Sequence, residues 1–85
     1  MPHNIDQRLR QILADVLGLP APQTAAFTAQ TGLFGHLPEL DSMAVAGLLT
    51  EIEDRFDIII EDEDVDGDLL GDYGSLLAYV TAQVR

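Results

Sequence analysis

Few side chains in this sequence are placed to do chemistry, and the most telling is Ser42, in the stretch Pro38-Glu39-Leu40-Asp41-Ser42-Met43. It follows a long, Gly-containing connection and opens the best amphipathic helical pattern in the chain. A serine there projects into solvent with a carboxylate beside it. No lysine occurs in the sequence, and the one nearby histidine, His36, lies in the preceding connection. A lone loop histidine, with no orienting third group and no oxyanion site, is ordinarily a solvated side chain rather than a general base. Ser42 is thus a poor nucleophile by itself but a good hydroxyl for another enzyme to modify. The plain alternative is that it caps its helix, the usual task of a serine at a helix start. Asp41 can take that task instead, and the capping-box partner is missing because the third residue after Ser42 is Val45. A phosphodiester on the freed hydroxyl would sit at the helix N-terminus, where the dipole favours negative charge.

A second stretch invites a metal. Asp62, Asp64, Asp66, Gly67 and Asp68 fall on positions 1, 3, 5, 6 and 7 of an EF-hand loop, and Leu69 fits its apolar eighth place. Position 12 falls on Tyr73, where the motif needs a bidentate glutamate. Ile58-Ile59-Ile60 separates the run from the preceding helix, and Gly71 and Gly74 interrupt the one that should follow. A calcium-binding module using residues 62–73 is therefore the alternative reading, and a solvated acidic segment is the plainer one.

Composition narrows the field. The net charge is −11, with four arginines and no lysine, so nucleic acid and anionic membrane surfaces are disfavoured as partners. A basic patch on a protein is the natural complement. Eighty-five residues, 47% of them hydrophobic, make one domain, 1–85, with one modest core. No apolar run reaches the ~18 residues of a membrane span. The start, Met1-Pro2-His3-Asn4, lacks the basic and apolar regions of a signal peptide. The absence of cysteine rules out disulfides and thiolate metal sites and suits the cytoplasm.

The elements that must position Ser42 follow from periodicity. A first helix is predicted from Ile5 to Leu17, capped by Asn4 and stopped by Gly18 and Pro20. Its buried stripe is Ile5, Leu9, Ile12, Leu13 and Val16, with Gln7, Arg10 and Gln11 facing away. Residues 18 to 41 form an unusually long connection, the kind that tends to be functional. A helical turn is expected over 25–30, with Phe27, Leu33, Phe34 and Leu37 folding back on the bundle. The next helix runs from Asp41 or Ser42 to Phe56 and buries Val45, Leu48, Leu49, Ile52 and Phe56, leaving Met43, Gly47, Thr50 and Asp54 outside. Gly47, costly in a helix interior, suggests close approach by something else. Ile58 and Ile60 should tuck inward, Val65, Leu69 and Leu70 should anchor a short third helix, and a turn over 71–74 should lead to a last helix capped by Ser75, with Leu76, Leu77, Val80 and Val84 inside.

From Leu33 to Val84 the chain resembles an acyl carrier protein. Leu40-Asp41-Ser42-Met43 resembles the modification site, with Ser42 matching the serine that bears 4'-phosphopantetheine. Glu51-Ile52-Glu53-Asp54-Arg55-Phe56 resembles the acidic end of the second helix, Ile60 with its acidic successors the start of the short third, and Leu76 to Val80 the last. An aspartate before the serine resembles acyl carriers, where peptidyl carriers usually place histidine. The resemblance implies an all-α bundle of three main helices and one short one, with a long loop between the first two. It implies a carrier and not an enzyme, holding acyl groups as thioesters on an arm at Ser42. Expected partners are a phosphopantetheinyl transferase and acyl-CoA ligase-like or acyltransferase enzymes with basic faces, meeting a monomer at Asp41, Met43, Glu51, Glu53 and Asp54. Carriers of fatty-acid synthesis typically show acidic residues two and five places after the serine, where this chain has Ala44 and Gly47. PELDSMAV more closely resembles specialised carriers found with bacterial exosortase and exopolysaccharide systems, so the pathway is open among lipid, polyketide and exopolysaccharide-related ones.

Overall fold

The computed structural model describes residues 4–84. Helix α1, Ile5–Leu17, has the predicted bounds. Its start is not capped as expected. Asn4 sits in the left-handed region (φ 41°), and its side chain donates to Gln7 Oε1 rather than accepting from the first turn. The predicted stop holds: Gly18 takes φ 69° and its N–H returns to the Ala14 carbonyl, a geometry that favours glycine.

Leu9, Ile12, Leu13 and Leu17 are buried along α1, with Ile5 and Val16 packed at the margin. Arg10 does not face away. Its Nη1 donates to the carbonyls of Thr24 (2.7 Å), Ala25 (3.1 Å) and Phe27 (2.9 Å), its Nε pairs with Asp6 at 2.9 Å, and its guanidinium lies over the Tyr73 ring. Those carbonyls end a short helix α2, Ala21–Ala25, which has Pro22 in its first turn, where a missing N–H costs nothing. The helical turn expected over 25–30 thus lies further upstream. Phe27 and Leu33 fold into the core as predicted and Leu37 lies at its edge, whereas Phe34 remains 46% exposed.

Helix α3, Ser42–Phe56, starts after Asp41 and ends on Asp57, whose left-handed φ of 56° returns its N–H to the Glu53 carbonyl. Between α3 and the last helix, a single 3-10 turn covers Asp62–Asp64. It replaces the expected short third helix, although Leu69 and Leu70 are buried as anchors and Val65 packs beside them. Ile60 is buried, Ile58 is half-buried, and Ile59 points outward. Helix α4, Tyr73–Gln83, begins two residues earlier than its expected cap. Asp72 is the N-cap, its carboxylate accepting from the Ser75 N–H at 2.8 Å. Tyr73, expected in a turn, is instead 1% exposed in the core, and its hydroxyl donates to Asp6 Oδ1 at 2.6 Å. Leu76 and Val80 are buried, and Leu77 and Val84 pack at the margin.

Helix α1 packs against each of α2, α3 and α4, and is the wall on which the bundle leans. The long connection is pinned to the start of α4 by four backbone bonds. Leu33 and Phe34 donate to the Gly71 and Leu70 carbonyls, and Tyr73 and Gly74 donate to those of Thr31 and Ala29. One isolated bridge, Gly32 to Asp72, belongs to the same seam. The result is the expected all-α bundle, with three main helices and a long connection that delivers Leu40 (2% exposed) into the core and Ser42 onto the surface.

Candidate functional site

Ser42 is the first residue of α3 and is exposed. Asp41 Oδ1 accepts from the Ala44 N–H at 2.8 Å, so the capping role falls to the aspartate, as its spacing predicts. Among the described residues the Ser42 hydroxyl has no hydrogen-bond partner, and neither do the N–H groups of Ser42 and Met43. Backbone donors of a first helical turn left open in this way suit an anion covalently held on the neighbouring oxygen.

The serine stands between two clefts. One, of about 480 Å³, is lined by Val45, Ala46, Leu49 and Thr50 of α3, and by Ile60, Asp62 and Val65 across from them. The other, of about 390 Å³, is lined by the connection from Phe34 to Asp41. The first cleft explains a departure from the predicted core. Val45 and Leu49 share the apolar stripe of α3 but are only half-buried, because they form the groove floor beside Ser42. The apolar pattern could not tell a core position from a groove position, since both are hydrophobic at the same spacing.

His36 shares the second cleft with Ser42. Its ring lies against Gly32, so close that a β-carbon there would stand 2.3 Å from His36 Cγ. Among the described residues, no carboxylate orients that ring and no hydrogen bond joins it to Ser42. Among the described residues, none is hydrogen-bonded to the hydroxyl to activate it.

The five expected contact residues do not have equal freedom. Met43 is 86% exposed, and Asp41 and Asp54 are exposed. Met43, Gly47, Thr50 and Asp54 share one outward stripe of α3, all of them exposed. Glu51 is half-buried and pairs with Arg55 at 2.9 Å. Glu53 turns back on its own chain, its Oε2 accepting from the Ile60 N–H at 2.7 Å.

The calcium reading finds no support. Asp64 Oδ2 accepts from the Tyr79 hydroxyl at 2.9 Å, and Asp66 Oδ1 accepts from the N–H groups of Asp68 and Leu69, both at 3.0 Å. Tyr73, at the place of the last ligand, is buried in the first turn of α4. Among the described residues no three His, Asp or Glu side chains gather in a way that could hold a metal ion. In this run, Asp64 serves a tyrosine and Asp66 the backbone instead. No described helix is long and apolar enough to cross a membrane.

A family model described as a phosphopantetheine attachment site matches residues 7–80. Among solved structures, the chain is similar to the solution NMR structure of a holo acyl carrier protein from Nitrosomonas europaea. The two are 36% identical, with 96% of this chain and 95% of that one covered and a TM-score of 0.82. No curated protein matches the chain. The helical bundle, a family model spanning nearly the whole chain and a similar solved structure agree, and the chain belongs to the acyl carrier proteins, non-enzymatic carriers that work through a covalently attached 4'-phosphopantetheine.

Proposed function

We propose that Ser42 carries the arm and that the groove beside it receives the acyl group. The observation that carries this reading is the capping bond from Ala44 N–H to Asp41, which leaves the Ser42 hydroxyl exposed and unengaged. When bound, the arm supplies a thiol that holds the acyl group as a thioester. The residues of the chain do the rest. Ser42 tethers, the open N–H groups of the first turn face the phosphodiester, and Val45, Ala46, Leu49, Ile60 and Val65 offer an apolar lining.

Family membership brings a phosphopantetheinyl transferase and acyl-handling enzymes as partners. We infer that they dock on the outward stripe of α3 around Met43 and Asp54, flanked by Asp41 and Glu51. Glu53 is committed to Ile60 and contributes less. Partners with basic faces, such as an acyl-CoA ligase-like enzyme or an acyltransferase, complement a net charge of −11. Ala44 and Gly47, in place of acidic residues, favour a specialised lipid, polyketide or exopolysaccharide-related pathway. The reading takes residues 1–85 as one domain acting as a cytoplasmic monomer.

Incubation with coenzyme A and a broad-specificity transferase tests the assignment by mass spectrometry. Wild type gains one phosphopantetheine, mapped to the Ser42 peptide, and Ser42→Ala gains none. An unmodified wild type, or a modified Ser42→Ala, sinks it.

A further inference from the structure

The groove beside Ser42 has two walls of different kinds. One is α3 itself. The other is the segment after α3, represented by Ile60, Asp62 and Val65, which has only the three-residue 3-10 turn to shape it. A chain segment with so little internal hydrogen bonding keeps its place only if side chains hold it. Two carboxylates do so. Glu53 Oε2 accepts from the Ile60 N–H at 2.7 Å across seven residues, and Asp64 Oδ2 accepts from Tyr79 on α4 at 2.9 Å. Glu53 holds the segment a second time, through its carbonyl, which accepts from the Ile58 N–H at 3.1 Å. It also lines the groove itself, so its bond to Ile60 ties one wall directly to the other.

We propose that Glu53 is a positioning residue for the acyl group, fixing the wall of the groove through the backbone of Ile60 rather than meeting a partner enzyme. This rests on the reading of Ser42 as the attachment point and extends it to a residue that acts through the backbone of Ile60. The bond is partly buried and charge-assisted, the kind whose loss leaves a donor poorly satisfied. Glutamine at the same place keeps an acceptor oxygen, and alanine does not.

The test compares wild type, Glu53→Gln and Glu53→Ala, each as the apo protein and each loaded from hexanoyl-coenzyme A by a broad transferase. In apo Glu53→Ala, amide exchange at Ile60 speeds up by about tenfold or more, as expected when one charge-assisted hydrogen bond is lost, while α1 and α4 keep their protection. Glu53→Gln stays close to wild type. In the loaded proteins, hydroxylamine cleaves the thioester of Glu53→Ala as fast as that of free hexanoyl-pantetheine, and that of wild type and Glu53→Gln more slowly. Unchanged exchange at Ile60, equal cleavage in all proteins, or loss of protection throughout the Glu53→Ala bundle overturns the proposal. If wild type takes up no arm by mass, the Ser42 reading has failed instead, and exchange in the apo proteins still decides whether Glu53 holds the wall.

Discussion

Asp41 Oδ1 receives the Ala44 N–H at 2.8 Å, and by doing so it relieves Ser42 of the duty that a serine at this place would otherwise perform. Replacing Asp41 by alanine removes the cap at a cost of about 1 kcal/mol, and asparagine costs only a few tenths. The alanine variant also invites Ser42 to cap its own helix. Transferase-catalysed arm addition, followed by mass spectrometry, is expected to slow in Asp41→Ala and to hold near wild type in Asp41→Asn. Equal rates in all three would mean that capping does not compete with modification.

Two glycines make opposite predictions. A β-carbon on Gly47 meets no atom of the chain within 4 Å, so Gly47→Ala removes a flexible residue from an exposed helix interior and raises stability by about 0.5–1 kcal/mol. A β-carbon on Gly74 falls 2.8 Å from the Ala29 carbonyl oxygen, in the seam between the long connection and α4. Gly74→Ala therefore loses about 1–3 kcal/mol despite its better helix propensity. Urea denaturation reads both. If Gly47→Ala is also slower in arm transfer while being more stable, the glycine is there for a partner's close approach.

Tyr73 closes the bundle by donating to Asp6 Oδ1 at 2.6 Å and to the Asp6 carbonyl at 3.1 Å, joining α4 to α1 across 67 residues. Burial foremost, then the bond to Asp6, pushes the phenol well above its ordinary range. The same bond, helped by Arg10, holds the Asp6 carboxyl below its own. Tyr73→Phe keeps the ring and loses the hydroxyl. Because Asp6 is exposed and regains water, the expected loss is about 1 kcal/mol rather than a full desolvation penalty. NMR titration of the variant should find Asp6 shifted back up toward ordinary aspartates.

Asp72 gives a pH dependence with a definite sign. The Ser75 N–H donating to its carboxylate depresses its pKa in the folded protein. A depressed carboxyl adds stability that is complete above the unfolded value of about 3.9 and fades as pH falls through the lower folded value. Asp72→Asn retains a capping oxygen but cannot titrate. The gap in urea midpoint between wild type and Asp72→Asn is therefore expected to be larger at pH 7 than at pH 3. A gap that widens on acidification would contradict the assignment of Asp72 as a charged cap.

Much of this was legible in residue spacing, and the failures have common physical causes. The bounds of α1 and α3 followed from apolar period together with Gly18, Asp41 and Phe56, where local signals and tertiary packing agree. Ser75 was read as a cap because Gly71-Asp72-Tyr73-Gly74 looks like a turn. Asp72 capped first, and Tyr73 had a buried place waiting on α1. Arg10 falls on the polar side of its helix by period, yet a long cationic side chain can reach carbonyls that no pattern locates. The short helix α2 was foreshadowed by Pro22, a residue at home in a first turn, but five residues are too few to show a period. The Asp41 cap and the exposure of Ser42 were readable because both are local features. The groove was not, because its far wall comes from a segment placed by the long-range bonds of Glu53 and Tyr79 as well as by its buried isoleucine and leucines.

The described arginines are all engaged with groups of their own chain, while Arg8 and Arg55 stay exposed to solvent. Arg8 donates to the Arg55 carbonyl and covers the Phe56 ring, Arg10 gathers the end of α2, and Arg55 is shared between Asp15 and Glu51. Those cations sit beside carboxylates or carbonyls, and a net charge of −11 leaves negative charge dominant on the described surface. At that net charge two copies repel one another at long range. Ionic strength becomes a control on that self-avoidance, since added salt screens the repulsion.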